Sequence, residues 1–198
     1  MNLTAITEPE EVLYKHFLDC LLFLKDVNVQ KEAKIIDVGT GAGFPAMVLK
    51  IARPDMNLTM LDGLNKRLTF LNAVLSELNL TAETVHLRAE DGGKNPLYRE
   101  QYDIACARAV ASLPVLCEYC IPFVKVGGQF VAMKGASAKD ELTSAESAFK
   151  ILGCEKPTII CETLRQDEQR AFIISKKVSQ TPPKYPRISS KIAKSALK

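Results

Sequence analysis

Short apolar runs alternate along the chain with longer stretches whose apolar residues recur every three or four positions. Thr7, Pro9, Glu10 and Glu11 read as a helix start, with a cap, a first-turn proline and acids near the positive end of the dipole, and the helix is predicted to run towards Leu24. His16 and Asp19 lie three apart in it and so share a face. The run Ile35 to Val38 then leads into a glycine-rich turn and a helix that Pro45 opens and Pro54 closes from beyond its end. Leu58 to Leu61, Val85 to Leu87, Ile104 to Ala107 and Phe130 to Met133 read as further strands, the last introduced by Gly127 and Gly128. Leu64 to Leu80 and Leu113 to Val124 read as the intervening helices, the second broken by Pro122. This β-α rhythm predicts a parallel sheet with helices on both faces, because right-handed crossovers put them there.

After a helix over Glu141 to Leu152 the rhythm changes. Thr158 to Cys161 and Ala171 to Ser175 are two strands with no room for a helix between them, which predicts a closing hairpin. Five parallel strands followed by a hairpin form the layout of the class I, Rossmann-like methyltransferase fold, an α/β seven-stranded mostly parallel sheet ending in an antiparallel hairpin. A dinucleotide dehydrogenase would more often continue with another β-α unit. The expected division is an N-terminal helical segment (1–30), a methyltransferase domain (31–177) and a basic C-terminal tail (178–198).

Composition narrows the class. With 198 residues, 47% of them hydrophobic and 25% charged, one well-cored domain is expected. No apolar run is long enough to span a bilayer and no secretory signal is visible, so the expectation is a cytoplasmic protein with no membrane association. The six cysteines then read as reduced core thiols. Cys117 and Cys120 have CxxC spacing, but with only His16 and His86 as histidines no metal site is expected. Charge is sorted along the chain. Lys176, Lys177, Lys184, Arg187, Lys191, Lys194 and Lys198 fall in a final segment without an acid, so the net +3 divides into about −4 for the body and +7 for the tail. Such a tail is either a solvated extension or an arm that neutralises phosphates. Pro182, Pro183 and Pro186 argue against regular structure in it.

The most informative stretch is Asp37-Val38-Gly39-Thr40-Gly41-Ala42-Gly43-Phe44-Pro45, at the carboxyl end of the first strand, where open α/β sheets bind ligands. Alternate glycines let the backbone turn tightly and approach a ligand. Gly41, Gly43 and Ala46 also satisfy the dinucleotide pattern G-x-G-x-x-A, so the loop alone leaves two classes open. Asp37 favours S-adenosylmethionine, whose amino-acid group is cationic where NAD has no such group. Asp62 ends the second strand, where an acid accepts hydrogen bonds from ribose hydroxyls in either class, or caps the next helix. Ala89 and Glu90 are expected at the end of the third strand, beside the adenine.

At the end of the fourth strand the chain reads Cys106-Ala107-Arg108-Ala109-Val110-Ala111-Ser112-Leu113. The Asp/Asn-Pro-Pro-aromatic motif of amine methylation is missing, and Cys106 follows Ala105 on an apolar strand, unlike the proline-preceded attacking cysteine of C5 methylation. Arg108 there suits a phosphate or a base edge, and Lys134 holds the comparable place after the fifth strand.

Several segments in order now carry a resemblance: Asn2 to Thr7, His16-Phe17-Leu18-Asp19, Asp37 to Pro45, Leu61 to Arg67, Arg108 to Leu113, Met133-Lys134-Gly135 and Tyr185-Pro186-Arg187. They are similar over nearly the whole chain to the bacterial small-subunit ribosomal RNA methyltransferase G family, also called glucose-inhibited division protein B. Members usually carry a further helical segment before the Asn-Leu-Thr stretch, where this sequence begins. Cys20 and Gly63 stand where the family commonly has serine. The resemblance implies methyl transfer from S-adenosylmethionine to N7 of a guanine, position 527 of 16S rRNA in its usual naming, with 16S rRNA or the small ribosomal subunit as partner and no DNA. It implies cofactor contacts at Gly39, Phe44, Ala89, Glu90 and Arg108. With the residue-based reading, the cofactor set becomes Asp37, Gly39, Gly41, Gly43, Phe44, Asp62, Ala89, Glu90 and Arg108. The acceptor set is Arg108 and Lys134, with His16 and Asp19 closing the cleft and no proton-transfer residue. Two rival readings are a methyltransferase of another RNA, a small molecule or a protein, the last two of which the basic tail argues against, and a catalytically silent RNA-binding assembly factor, against which the retained Asp37 and Asp62 argue.

Overall fold

The computed structural model describes residues 6, 8–165 and 168–197. Its centre is a seven-stranded sheet of order β3-β2-β1-β4-β5-β7-β6. The strands are β1 (Lys34–Val38), β2 (Asn57–Asp62), β3 (Glu83–His86), β4 (Tyr102–Arg108), β5 (Val124–Lys134), β6 (Thr158–Thr163) and β7 (Gln169–Lys176). Pairings among β1 to β5 are parallel, and β7 runs antiparallel to both β5 and β6. The expected fold class, hairpin included, is the one observed. The chain order reverses between β1 and β4, so their carboxyl ends open the crevice in which such sheets bind ligands.

Helices α3 (Ala46–Ala52) and α4 (Asn65–Glu77) cover one face, with α2 (Asp19–Asp26) beside them. On the other lie α5 (Ala89–Gly92), α6 (Leu113–Cys120), which ends in a 3-10 turn (Ile121–Phe123), and α7 (Ala138–Ile151). Central strands buried on both faces account for the continuous apolar runs: Ile35, Leu49, Met60 and Phe172 pack on the first side, and Val38, Leu61, Phe130 and Phe149 on the second.

Three local expectations are corrected. Ala89 and Glu90 do not end β3, which stops at His86; they open the four-residue α5 that follows an extended Arg88. Gly127 and Gly128 do not precede the fifth strand but lie inside it, because Val124 already pairs with Tyr102 before the register shifts. Gly127 takes a positive φ of 91°, and a Cβ on Gly128 would sit 2.6 Å from the Asp103 carbonyl oxygen, so the irregularity needs glycine. The N-terminal helix is not uniform. It runs as α1 (Pro9–Val12), a π-helical stretch over Leu13–Leu18 and then α2, with Glu8 preceding the first turn. The predicted Thr7 cap lies outside the described residues.

The basic tail is packed against the body. Lys177 is fully buried, donating from Nζ to the carbonyls of Ile121 and Val124, to Thr181 Oγ1 at 2.7 Å and to Glu100 Oε1 at 3.1 Å. Burial holds its ammonium below the usual lysine range, with Glu100 opposing. Arg99 reaches from the body to the Thr181 and Tyr185 carbonyls. Despite the prolines the segment forms a short helix, α8 (Ser189–Lys194), because Ile192 finds a fully buried place on the body. Two of the seven cations, Lys177 and Arg187, are thus matched by Glu100 and Glu118 and are not offered to a phosphate.

Candidate active site

Two cavities open along the carboxyl ends of the strands, and Ala109 lines both. Ala109 follows β4 with a φ of 56°, a left-handed conformation that L-residues other than glycine seldom take, and it turns the chain between the two spaces.

The first cavity, about 430 Å³, is walled by Gly39, Asp62, Arg67, Ala89, Glu90 and Tyr119 among others. Its floor is the glycine turn. Gly39 and Thr40 donate their N–H groups to the Leu61 carbonyl at 2.8 and 3.1 Å, which ties the turn to β2. Gly39, Gly41 and Gly43 all have positive φ, and a Cβ on Gly39 would meet Val110 at 2.8 Å while one on Gly43 would meet Leu71 at 2.6 Å. Gly43 therefore serves helix packing, whereas Gly39 faces the cavity. Asp62 stands at the cavity wall just ahead of α4. Its Oδ1 accepts from the Leu64 N–H at 2.8 Å ahead of α4, and its Oδ2 accepts from Gly41 N–H at 3.0 Å and Arg67 Nη1 at 3.2 Å.

Asp37 lies beneath the turn and is fully buried. Its Oδ2 accepts from Thr40 Oγ1 at 2.8 Å and Ala46 N–H at 3.4 Å, and its Oδ1 has no partner. Burial pushes its carboxyl up to about 6, opposed by those hydrogen bonds and by Arg108. A buried carboxylate with one unmatched oxygen favours a positive charge nearby, which suits the ammonium of an amino-acid group above the turn, a group that dinucleotides lack. The residues present thus fit S-adenosylmethionine.

The second cavity, about 330 Å³, is lined by His16, Asp19, Arg108, Lys134 and Arg170 together with Met133 and Phe172. Arg108 organises it. Its Nη1 donates to Asp19 Oδ2 at 2.8 Å and to the Lys15 carbonyl at 3.1 Å, and its Nη2 donates to His16 Nδ1 at 3.1 Å. Because arginine can only donate, Nδ1 is the acceptor and the imidazole proton sits on Nε2. Burial and the Arg108 charge hold His16 below its usual range, so the ring is neutral at pH 7. Phe44 stacks on His16 with ring centroids 4.7 Å apart and lies 5.2 Å beneath the Arg108 guanidinium. Phe44 thus joins the cofactor turn to the acceptor side. Lys134 donates to the Ala111 carbonyl and to Glu141 Oε2, both at 2.7 Å, bracing the loop after β4 while it lines the cavity.

The structure brings His16, Asp19, Phe44, Arg108 and Lys134 together, and Gly39, Asp62, Ala89 and Glu90 together; Asp37, Gly41 and Gly43 stand behind the walls. Arg170 escaped the sequence reading. It donates from Nε to Asp19 Oδ1 at 3.1 Å, and it lies one residue before the strand expected from Ala171, at the start of which no local pattern marks it out. Cys106 is fully buried with its thiol pushed well above the usual range, as are Cys117 and Cys120, and among the described residues no cluster could hold a metal ion.

The family model GidB, rRNA small subunit methyltransferase G, matches residues 1–172. The Ribosomal RNA small subunit methyltransferase G of Alkaliphilus oremlandii is 50% identical over all of this chain and 84% of its own length. That of Acetivibrio thermocellus is 50% identical over all of this chain and 81% of its own. Among solved structures, an O-methyltransferase from Thermotoga maritima matches with a TM-score of 0.63 at 14% identity, covering 90% of this chain and 69% of its own, a likeness of fold. Sequence and fold converge: this chain belongs to the rRNA small subunit methyltransferase G family.

Proposed function

We propose that this chain, an S-adenosylmethionine-dependent methyltransferase of its family, acts in the cytoplasm on 16S rRNA within or destined for the small subunit and methylates N7 of a guanine, position 527. The observation that supports this most is the pair of cavities meeting at Ala109, one walled by Asp62 and Glu90 beside the glycine turn and the other lined by Arg108, Lys134 and Arg170. The cofactor supplies an electrophilic methyl on a sulfonium. Asp62 and Glu90 hold its nucleoside, the Gly39 turn lets its amino-acid end approach the backbone, and Asp37 supplies negative charge beneath. Arg108 and Lys134 position the nucleotide, and His16 and Asp19 fix Arg108 while closing the cleft.

Guanine N7 carries an unprotonated lone pair, so no residue has to remove a proton. Alignment is the main resource, and effective molarities on the order of 10⁵ to 10⁸ M are reachable by it. An attack by cysteine on the base, as C5 methylation requires, has no support from a buried thiol held well above its usual range. The test is RNA carrying 7-deazaguanine at the target: it should bind and accept no methyl. Transfer to that analogue at a normal rate would refute N7. Single-turnover rates at saturation should also stay flat between about pH 6.5 and 8.5, whereas a steep rise with pH would indicate an acceptor that must lose a proton.

A further inference from the structure

The basic C-terminal segment passes close to the nucleoside end of the cofactor cavity, and its anchors are on the two elements that flank that end. A Cβ on Gly93, just after α5, would lie 3.0 Å from Pro186 Cγ, so the segment packs directly on the chain that carries Ala89 and Glu90. One residue on, Arg187 donates its backbone N–H and Nε to Glu118 Oε1 at 2.7 and 2.8 Å, and Nη2 to Oε2 at 2.6 Å. Glu118 belongs to α6, is wholly buried, and immediately precedes Tyr119, which lines the cavity. Arg187 Nη2 also donates to the Ser195 carbonyl at 2.9 Å, closing the loop that carries α8 back onto the anchor. Two residues beyond the anchor, Ser189 lines the cavity with Ala89, Glu90 and Tyr119.

A buried carboxylate receiving three donors from one arginine fixes the segment's position far more tightly than a solvated arm would be fixed. We propose that the C-terminal segment is a wall of the cofactor pocket and that Ser189 is a positioning residue for the nucleoside end of S-adenosylmethionine. The proposal rests on the cofactor reading above. It assigns the tail a task separate from phosphate binding and different from that of a solvated extension. The exposed cations Lys191 and Lys194 remain on the outer side of the same short helix.

The experiment measures S-adenosylmethionine affinity by calorimetry and steady-state constants with RNA, on full-length protein with a melting curve for each variant. Ser189→Trp, at an exposed rim position where folding is not at stake, should weaken cofactor binding and raise the cofactor KM by roughly tenfold by crowding the pocket, with kcat and the KM for RNA unchanged. Removal of residues 187–198 should weaken cofactor binding at least as much; if that variant does not fold, Ser189→Trp alone decides. Lys191→Ala with Lys194→Ala should leave cofactor affinity alone and flatten the salt dependence of RNA binding by about 0.7 in log-log slope for each phosphate no longer neutralised. Cofactor affinity within about twofold of wild type in Ser189→Trp, or in a folded truncation, overturns the proposal. So does an equal loss in the double lysine variant, because charge and not shape would then be at work. Wild-type protein that binds no cofactor would overturn the cofactor reading itself, and this proposal with it.

Discussion

The two cavities that meet at Ala109 are built by opposite means. On the cofactor side the holding contacts are local: Asp37 to Thr40, Asp62 to Leu64, and Asp62 back to Gly41 across 21 residues. On the acceptor side one carboxylate, Asp19, joins Arg108 from 89 residues away and Arg170 from 151. Further ion pairs from the N-terminal helical segment to the β6–β7 hairpin, Glu10 with Arg165, Lys15 with Glu168 and Lys25 with Glu162, repeat this long-range pattern. The glycine-turn cradle of the cofactor side is therefore built within neighbouring elements, although Ala89, Tyr119 and Ser189 complete its walls from farther along the chain, whereas the acceptor side exists only when the N-terminal helix docks on the last hairpin. A nucleotide cofactor needs a fixed cradle. An RNA acceptor needs a wall that closes once the whole domain is in place, and the π-helical stretch just ahead of Asp19 is the kind of irregularity that accompanies such sites.

The largest expected effect comes from breaking the long-range side. Asp19→Asn keeps the shape of the side chain but removes the charge shared by Arg108 and Arg170, leaving two partly buried guanidinium groups facing each other. Breaking a buried pair in this way costs about 3 to 5 kcal/mol, which urea unfolding would read directly. RNA methylation should fall with it. A loss below about 1 kcal/mol would show that the cluster behaves as a solvated surface pair and that the acceptor wall is held by other contacts.

The same contrast explains what could be read in advance. The glycine turn, Asp62, the β-α rhythm and the closing hairpin were legible because each is a pattern within one or two adjacent elements. Arg108 and Lys134 were legible as cations at strand ends, where charge is costly without a reason. Arg170 was not, since nothing local distinguishes an arginine on an edge hairpin from a solvated one until Asp19 is seen beside it. The tail misled for the same reason. Its seven cations counted as free charge, while the acids that match two of them, Glu100 and Glu118, are 77 and 69 residues away.

A smaller effect tests the local side. Asp62→Ala should weaken S-adenosylmethionine binding by about 1.5 to 3 kcal/mol, the range for hydrogen bonds to a charged group. Because Asp62 also receives the Gly41 and Leu64 N–H groups, part of that loss is a looser turn, and Asp62→Asn separates the contributions by keeping an acceptor for Leu64. Calorimetry showing unchanged affinity in a folded Asp62→Ala variant would remove this residue from the cofactor site.

The finest test uses pH, and it depends on the sign of one shift. Asp37 has a folded-state value raised by burial to about 6 from an ordinary 3.8, so between those values the folded cofactor-free protein holds a proton that the unfolded chain has lost. Stability from this group is fully present below about pH 4 and declines as pH rises through about 6. A cationic amino acid above the turn reverses the preference, because it favours the carboxylate and so expels the proton. Cofactor affinity should then be constant above about pH 7 and weaken below pH 6, approaching tenfold per pH unit if the cofactor binds only the carboxylate form. Proton release on binding at pH 5.5, measured by calorimetry in two buffers of different ionisation enthalpy, should accompany it. Asp37→Asn should abolish both the pH dependence and the proton release while lowering affinity at pH 7. An affinity that stays level from pH 7 to pH 5 in the wild-type protein would mean that the unmatched Oδ1 does not sense the ligand and that Asp37 serves only to tie Thr40 and Ala46 together.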